Sequence, residues 1–512
     1  MIAIKVALIK IFIRKILFIH FILLCRMLTV SVYDTTLRDG AQMAGVNFSR
    51  QDKFMLVKNL VEELSFPFIE VYPFSNPKDL ELIQYIKESA PHYIPHLAAF
   101  GSTRKVNVKP EDDDNLKSIV ESGLPTATIF GKSWDFHLDF IHATPEQNLA
   151  MIEDSIKFLK DHNIHVIFDA EHFFDGFKNN REYALQSLLA AERGGADVLV
   201  LCDTNGGTLP HEIYDITEIV LKQVKRPLGI HAHNDTGMGD ANSIAAVQAC
   251  LNQNRACQVQ GTMNGLGERA GNANLTTILP ILVLKMKLPG VIPHQKLRNL
   301  TSVSNLIFEL SNMVPPVNSP FVGYNAFSHK GGMHIAAVDK NFRSYEHIEP
   351  DTVGNKRRVV ISEMSGKSAI LHKCEKLGIK IEKSDPIIEE ILKIIKRKES
   401  HGYTYDGADA SLEILIRGIL QDPKEAAAYW RQYYFEVEYF RVITDARNIF
   451  REEDLEIFTD ANIKMLVATP DGFDEYHTAA EGNGPVNALD EAFKKALLHF
   501  YPVLSEIDLI DF

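Results

Sequence analysis

Two histidines at alternate positions, His231 and His233, lie in Gly229-Ile230-His231-Ala232-His233-Asn234-Asp235, at the end of the short apolar run Pro227-Leu228-Gly229-Ile230. If that run is a β-strand, alternation sends both imidazoles to the same side, where they converge on one point. That geometry suits a divalent metal. A single strand histidine would more simply be a hydrogen-bonded core residue, so the weight of the reading rests on the pair and on what the fold places beside it.

The elements around them follow one pattern from Met27 onward: short β-branched runs, each followed by an amphipathic segment of helical length. Strands are expected at Thr29-Tyr33, Phe68-Tyr72, Tyr93-Ala99, Thr126-Phe130, Ile164-Phe168, Val198-Cys202, Leu228-His231 and Gln258-Thr262. Helices are expected near Arg50 to Leu64, Pro77 to Ser89, Asp112 to Ser122, Pro145 to Asp161, Arg181 to Arg193, Pro210 to Val224, Gly239 to Leu251 and Asn272 to Met286. Eight strand-helix units over this stretch predict an α/β protein built on a (β/α)8 TIM barrel, with a doubly wound sheet as the alternative.

Active sites in such barrels sit at the C-terminal ends of the strands. Polar residues cluster just there. Strand one runs into Asp34-Thr35-Thr36-Leu37-Arg38-Asp39-Gly40, strand five into Asp169-Ala170-Glu171-His172, strand six into Asp203-Thr204-Asn205-Gly206-Gly207 and strand eight into Asn264-Gly265-Leu266-Gly267-Glu268-Arg269-Ala270-Gly271-Asn272. Gly265, Gly267 and Gly271 read as turn residues that permit positive φ, not as a phosphate cradle, and Glu268-Arg269 as an architectural charge pair.

The chain has 512 residues, a formal net charge of -13, 46% hydrophobic residues and five cysteines. The negative balance argues against nucleic acid as the main partner, since phosphate binding relies on excess Lys and Arg. Cys25, Cys202, Cys250, Cys257 and Cys374 are scattered, odd in number and without a C-x-x-C pair, which points to neither disulfides nor a thiolate zinc site and fits a reducing, cytoplasmic setting. Residues 1–26 form an apolar, basic extension whose uncharged run is too short to span a bilayer. Met27 reads as the natural start, with a targeting or membrane-surface segment as the alternative.

The motifs taken together resemble the DRE-TIM metallolyase superfamily, and within it the Claisen-condensing synthases of the 2-isopropylmalate synthase and homocitrate synthase family. Phe130-Gly131-Lys132-Ser133-Trp134-Asp135-Phe136-His137, Asp169-Ala170-Glu171-His172-Phe173-Phe174-Asp175-Gly176 and Leu201-Cys202-Asp203-Thr204-Asn205-Gly206-Gly207-Thr208-Leu209-Pro210 resemble the long citramalate synthase type. The resemblance runs from Met27 to near the C-terminus. It implies a divalent metal (Mn, Mg, Co or Zn) held by Asp39, His231, His233 and Asn272, a ligand set suited to Lewis-acid chemistry. It assigns Arg38 to the 2-oxo acid and its developing oxyanion, Thr204 to the substrate carboxylate, and Glu171 to orienting a water or the substrate.

The same resemblance divides the remainder. Residues 27–290 would be the catalytic barrel and residues 291–385 a linker subdomain reaching over the partner's active site in a homodimer. His334, with His329 as competitor, would be the base that takes a proton from acetyl-CoA, assisted by Tyr345. Residues 386–512 would be an α+β regulatory and dimerisation domain, with isoleucine as the logical effector. The implied reaction condenses acetyl-CoA with pyruvate and hydrolyses the thioester to citramalate and CoA, feeding isoleucine synthesis through 2-oxobutanoate. A 2-isopropylmalate synthase using 2-oxoisovalerate is the near alternative, and a catalytically silent amino-acid sensor the alternative of another class. Two stretches depart from the family pattern: Val71-Tyr72-Pro73-Phe74 stands where relatives usually read Gly-Gly-Trp-Pro-Gly, and Leu251-Asn252-Gln253-Asn254-Arg255 reads as a short insertion on the bottom face.

Overall fold

The computed structural model describes residues 30–74, 76–330, 332–359, 366–405, 408–421, 434–447, 456–469 and 472–507. The extension 1–26 and Met27 lie outside the described residues. The chain divides into two compact units: one runs to Ser328 and includes Glu346–Arg358, the other takes His329–Tyr345 and continues from Val359. The stretch 291–385 is therefore shared between them.

The first unit holds a closed barrel of eight parallel strands in sequential order. These are β1 (Val30–Asp34), β2 (Phe68–Val71), β3 (Leu97–Ser102), β4 (Thr126–Lys132), β5 (His165–Glu171), β6 (Val198–Asp203), β7 (Leu228–Ala232) and β8 (Cys257–Gly261). β8 pairs back on β1, with Val30 opposite Cys257 and Asp34 opposite Gly261. That closure excludes the doubly wound sheet, which is open at both edges.

Local chemistry starts the helices where the sequence suggests. Ser49 and Asp52 form a reciprocal capping box ahead of Arg50–Glu62, and Thr144 and Gln147 do the same ahead of Pro145–Asp161. Each cap is worth about 1 kcal/mol. Every residue of β6 is buried, as expected of a parallel strand covered on both faces.

Three local expectations are corrected. Pro91 and Pro95 remove backbone donors from the run expected to open β3, so residues Pro91–His96 form a 3-10 turn and the strand starts at Leu97. The long helix expected from Asn272 begins only at Leu275, capped by Asn274, and passes at Pro280 into a π-helical turn, Ile281–Lys285. Asn272 and Asn274 are instead engaged in β-bridges to His233 and Thr262. A short helix, Phe173–Asn179, also follows β5 before Arg181–Gly194.

The barrel interior is not wholly apolar. Tyr33, Glu70, Thr128, Asp169, Gln258 and Gln260 are all buried within it. Outside it, the Lys53 ammonium on helix Arg50–Glu62 is buried, forms an ion pair with Asp79 and donates to the Leu37 carbonyl at 3.0 Å. Asp79 in turn accepts from the Tyr72 backbone N–H at 2.7 Å. One buried pair thus ties down the chain just before Arg38 and the exit of β2.

In the second unit, helices Gly332–Lys340, Lys367–Lys376, Ile387–Glu399 and Asp409–Gln421 contribute to a core containing Ile335, Ile370, Ile391, Ile395, Leu412 and Ile416. A separate apolar cluster joins the antiparallel strands β9 (Phe435–Arg447), β10 (Glu456–Thr469) and β11 (Gly472–Gly482) to helix Pro485–Leu498, with Ile463, Met465 and Val467 packed on Ala488, Ala492 and Leu497. Three strands and a helix packed in this way match the α+β architecture expected of residues 386–512. No helix among the described residues is long and apolar enough to cross a membrane.

Candidate active site

The mouth of the barrel is built from strand ends. Asp39 lies in the turn after β1, where its N–H bonds to the Thr35 carbonyl at 2.8 Å. His231 is the penultimate residue of β7, and His233 lies just past it, bridged to Asn272 after β8. Candidate ligand atoms of Asp39, His231 and His233 all lie within 4.8 Å of one another, and the three residues are buried. His231 Nε2 is 3.1 Å from Asp39 Oδ2, and the two imidazole centroids are 5.3 Å apart.

Two buried polar atoms at this place have no hydrogen-bond partner, His233 Nδ1 and Asn272 Oδ1. Asn272 spends its amide N–H on the Leu266 carbonyl at 3.1 Å, which leaves the oxygen for a ligand. Unsatisfied buried acceptors normally cost about 1–3 kcal/mol each. A divalent cation would satisfy both atoms while neutralising Asp39, and a mixed nitrogen and oxygen donor set suits it. The residues fit a metal.

Charge is tightly balanced around this cluster. Burial alone would raise the Asp39 carboxyl, but Arg38 and the two histidines outweigh it and hold it well below the usual carboxylate range. Burial pulls the His231 imidazolium down, yet the hydrogen bond and charge of Asp39 raise it above its ordinary value. His233 is pushed down to about 4 by burial and by neighbouring His231.

Arg38 is fixed from three sides. Its Nε donates to Glu70 Oε2 at 2.7 Å, its Nη1 is 3.5 Å from Asp39 Oδ2, and its guanidinium lies 3.9 Å above the Phe100 ring. Tyr33 Oη donates to the other oxygen of Glu70 at 3.1 Å. A guanidinium held flat by a carboxylate and a ring is pre-oriented, so its remaining donors lose little entropy on binding an anion. Tyr72, from the stretch that departs from the family pattern, sets its ring edge-on to Phe100 at 5.5 Å.

On the opposite side, Glu171 ends β5 and pairs with Lys132 at the end of β4. Thr204, just after β6, accepts a hydrogen bond from the His172 backbone N–H at 2.8 Å. Its hydroxyl oxygen is thereby used as acceptor, leaving the proton to be given to a ligand. Arg269 does not pair with the adjacent Glu268: it grips Asp235 through Nε and Nη2 at 2.8 and 3.0 Å and the Thr204 carbonyl at 2.7 Å. Gly265, Gly267 and Gly271 all adopt positive φ. At Gly267 a Cβ would fall 2.1 Å from Asn272 Nδ2, so the turn approaches the candidate ligand too closely for any side chain.

His334 and Tyr345 belong to the second unit, where their rings stack with centroids 4.1 Å apart and planes 26° apart. Both are exposed, and His329 is half-buried. The sequence reasoning placed Asp169 at the end of β5 without giving it a role, and it missed Glu70, Lys132 as the partner of Glu171, and the Gln258-Gln260 pair. The last had a signal: Gln258, Gln260 and Thr262 alternate along β8 and its exit, a polar face where a barrel strand should be apolar.

Fold and cluster define the class, a (β/α)8 barrel with an imidazole-carboxylate centre at its C-terminal mouth, and the family model described as HMGL-like matches residues 29–307. A second model, homocitrate synthase post-HMGL domain-like, matches residues 321–402. The (R)-citramalate synthase of Aquifex aeolicus is 46% identical over 94% of this chain and 88% of its own length, and that of Geobacter sulfurreducens 44% identical over 94% and 87%. A probable 2-isopropylmalate synthase of Methanopyrus kandleri is 33% identical over 73% of this chain and 70% of its own. The chain belongs to the (R)-citramalate synthase family within the HMGL-like group.

Proposed function

We propose that this protein condenses acetyl-CoA with pyruvate and hydrolyses the thioester, giving (R)-citramalate and CoA on the route to 2-oxobutanoate and isoleucine. The observation that carries the reading is Arg38, clamped by Glu70 against the Asp39-His231-His233 cluster, in a chain close to full-length citramalate synthases. Asp39, His231, His233 and Asn272 would hold the divalent ion, which supplies Lewis-acid polarisation of the ketone when bound.

The chain's own residues do the rest. Arg38 donates to the ketone oxygen as it gains negative charge. Thr204 donates a hydrogen bond from its hydroxyl to the pyruvate carboxylate, and Glu171, held by Lys132, orients the water or substrate. His334 takes a proton from the acetyl methyl while Tyr345, stacked on it, assists. The methyl carbon then attacks the ketone carbon, and water attacks the thioester carbonyl to expel the CoA thiolate. A homodimer, in which the linker of one subunit serves the barrel of the other, would bring His334 to this mouth, and the C-terminal domain would bind isoleucine as feedback inhibitor.

The test is CoA thiol release by the purified protein with Mn, comparing pyruvate with 2-oxoisovalerate at matched concentrations. Preference for pyruvate, abolished in His334→Ala, is expected. Preference for 2-oxoisovalerate would make the protein an isopropylmalate synthase, and release with neither from protein that binds metal would make it a silent sensor.

A further inference from the structure

We propose that Gln260, oriented by Asp169, is a positioning residue that decides which imidazole nitrogen of His231 faces a divalent cation. The inference rests on the metal reading above and concerns residues to which no role has yet been given.

Gln260 on β8 lies opposite His231 on β7 in the strand register. Its amide nitrogen donates to Asp169 Oδ1 at 3.0 Å and to Gln258 Oε1 at 3.4 Å. Two oxygens on one side of the amide set its orientation, because the reversed amide would press its own oxygen against the Asp169 carboxylate. The Gln260 oxygen is therefore the atom 2.9 Å from His231 Nδ1. An amide oxygen can only accept, so Nδ1 must carry a proton. His231 Nε2, on the Asp39 side, is then the nitrogen whose lone pair a cation can take. Gln258, Gln260, Asp169 and His231 are all buried, so each link in this chain is shielded from bulk water.

This arrangement differs from the usual partner of a metal-bound histidine, a carboxylate or backbone carbonyl directly on the second nitrogen. Here the carboxylate acts at one remove. A neutral amide touching the imidazole fixes the tautomer without adding a negative charge beside Asp39.

The experiment uses the full-length protein and Mn alone as probe, with binding followed by electron paramagnetic resonance. Gln260→Leu removes the acceptor and should weaken Mn binding by about 10–100-fold, whereas Gln260→Glu combined with Asp169→Asn, which keeps an acceptor oxygen on Nδ1 and sets an amide donor where the Asp169 carboxylate stood, should stay within about threefold of wild type. In zinc-loaded protein labelled with nitrogen-15 at histidine, the wild type should show a proton on His231 Nδ1 that is protected from exchange, and Gln260→Leu should lose that protection. A loss of packing alone would not move the tautomer signal. Wild-type Mn affinity in a folded Gln260→Leu protein, or an unprotonated Nδ1 in the wild type, would overturn the inference while leaving the metal reading intact. Absence of Mn binding in the wild type would overturn both.

Discussion

The Arg38 Nε and the Glu70 Oε2 lie 2.7 Å apart, with Glu70 fully buried beneath the barrel mouth. The carboxylate gives this guanidinium a fixed plane. Glu70→Gln keeps an oxygen acceptor of similar shape but removes the charge, so Arg38 should shift toward Asp39 and away from the ketone oxygen. We expect kcat/KM for pyruvate to fall by about 10²–10³ while the protein stays folded, measured by CoA thiol release alongside circular dichroism. Wild-type activity in this variant would remove Arg38 from the oxyanion role or Glu70 from orienting it.

Metal removal should be visible in stability as well as in turnover. Dialysis against a chelator should abolish CoA release, and Mn restored at a hundredfold excess over its Kd should raise unfolding stability by about 2.7 kcal/mol. His233→Ala should lose both responses. A protein whose melting temperature ignores Mn would contradict the cluster's assignment.

Binding of the cation should also release a proton near neutral pH. The hydrogen bond and charge of Asp39 raise His231 above its ordinary value, so its imidazolium persists to higher pH than a free one, and the cation must displace that proton. His233, pushed down to about 4, is already neutral there and adds nothing. Mn affinity should fall as pH falls below the His231 value and level off above it. Calorimetry in buffers of different ionisation enthalpy should find proton release on Mn binding that grows as pH falls through the neutral range.

The Lys53-Asp79 pair supplies a stability test. Lys53→Met leaves Asp79 charged and buried without its partner, which should cost about 3–5 kcal/mol in urea unfolding. Replacing both, Lys53→Met with Asp79→Leu, should recover most of that loss, because an apolar pair needs no desolvation. The Leu37 carbonyl and the Tyr72 N–H would still lack their partners, so pyruvate KM should stay raised in the recovered double variant.

Most of the barrel was legible because its signals are local. Eight β-branched runs, helix caps such as Ser49 with Asp52, and histidines two residues apart are all patterns that a short window reveals. Where a local signal misled, backbone chemistry was responsible: Tyr93 and Ile94 look like strand residues, but the prolines flanking them enforce a 3-10 turn. The supporting residues were harder to see because their meaning is not local. Glu70 meets Arg38 across 32 positions and Gln260 meets Asp169 across 91, so neither contact exists until the barrel closes. Lys132 was in view within its motif, yet only the adjacency of β4 and β5 pairs it with Glu171.

The turn at Gly267 has a consequence for how this gene can vary. Every missense change at a glycine codon adds a side chain, and here even a methyl group would overlap the Asn272 amide, at a φ of 150° that other residues rarely adopt. Gly237 has a φ of 72°, but nothing lies within 4 Å of its Cβ position, so asparagine or aspartate can stand there. A saturation library selected for growth without isoleucine should recover asparagine at codon 237 and only glycine at codon 267, making one loop position a closed door to natural drift and the other an open one.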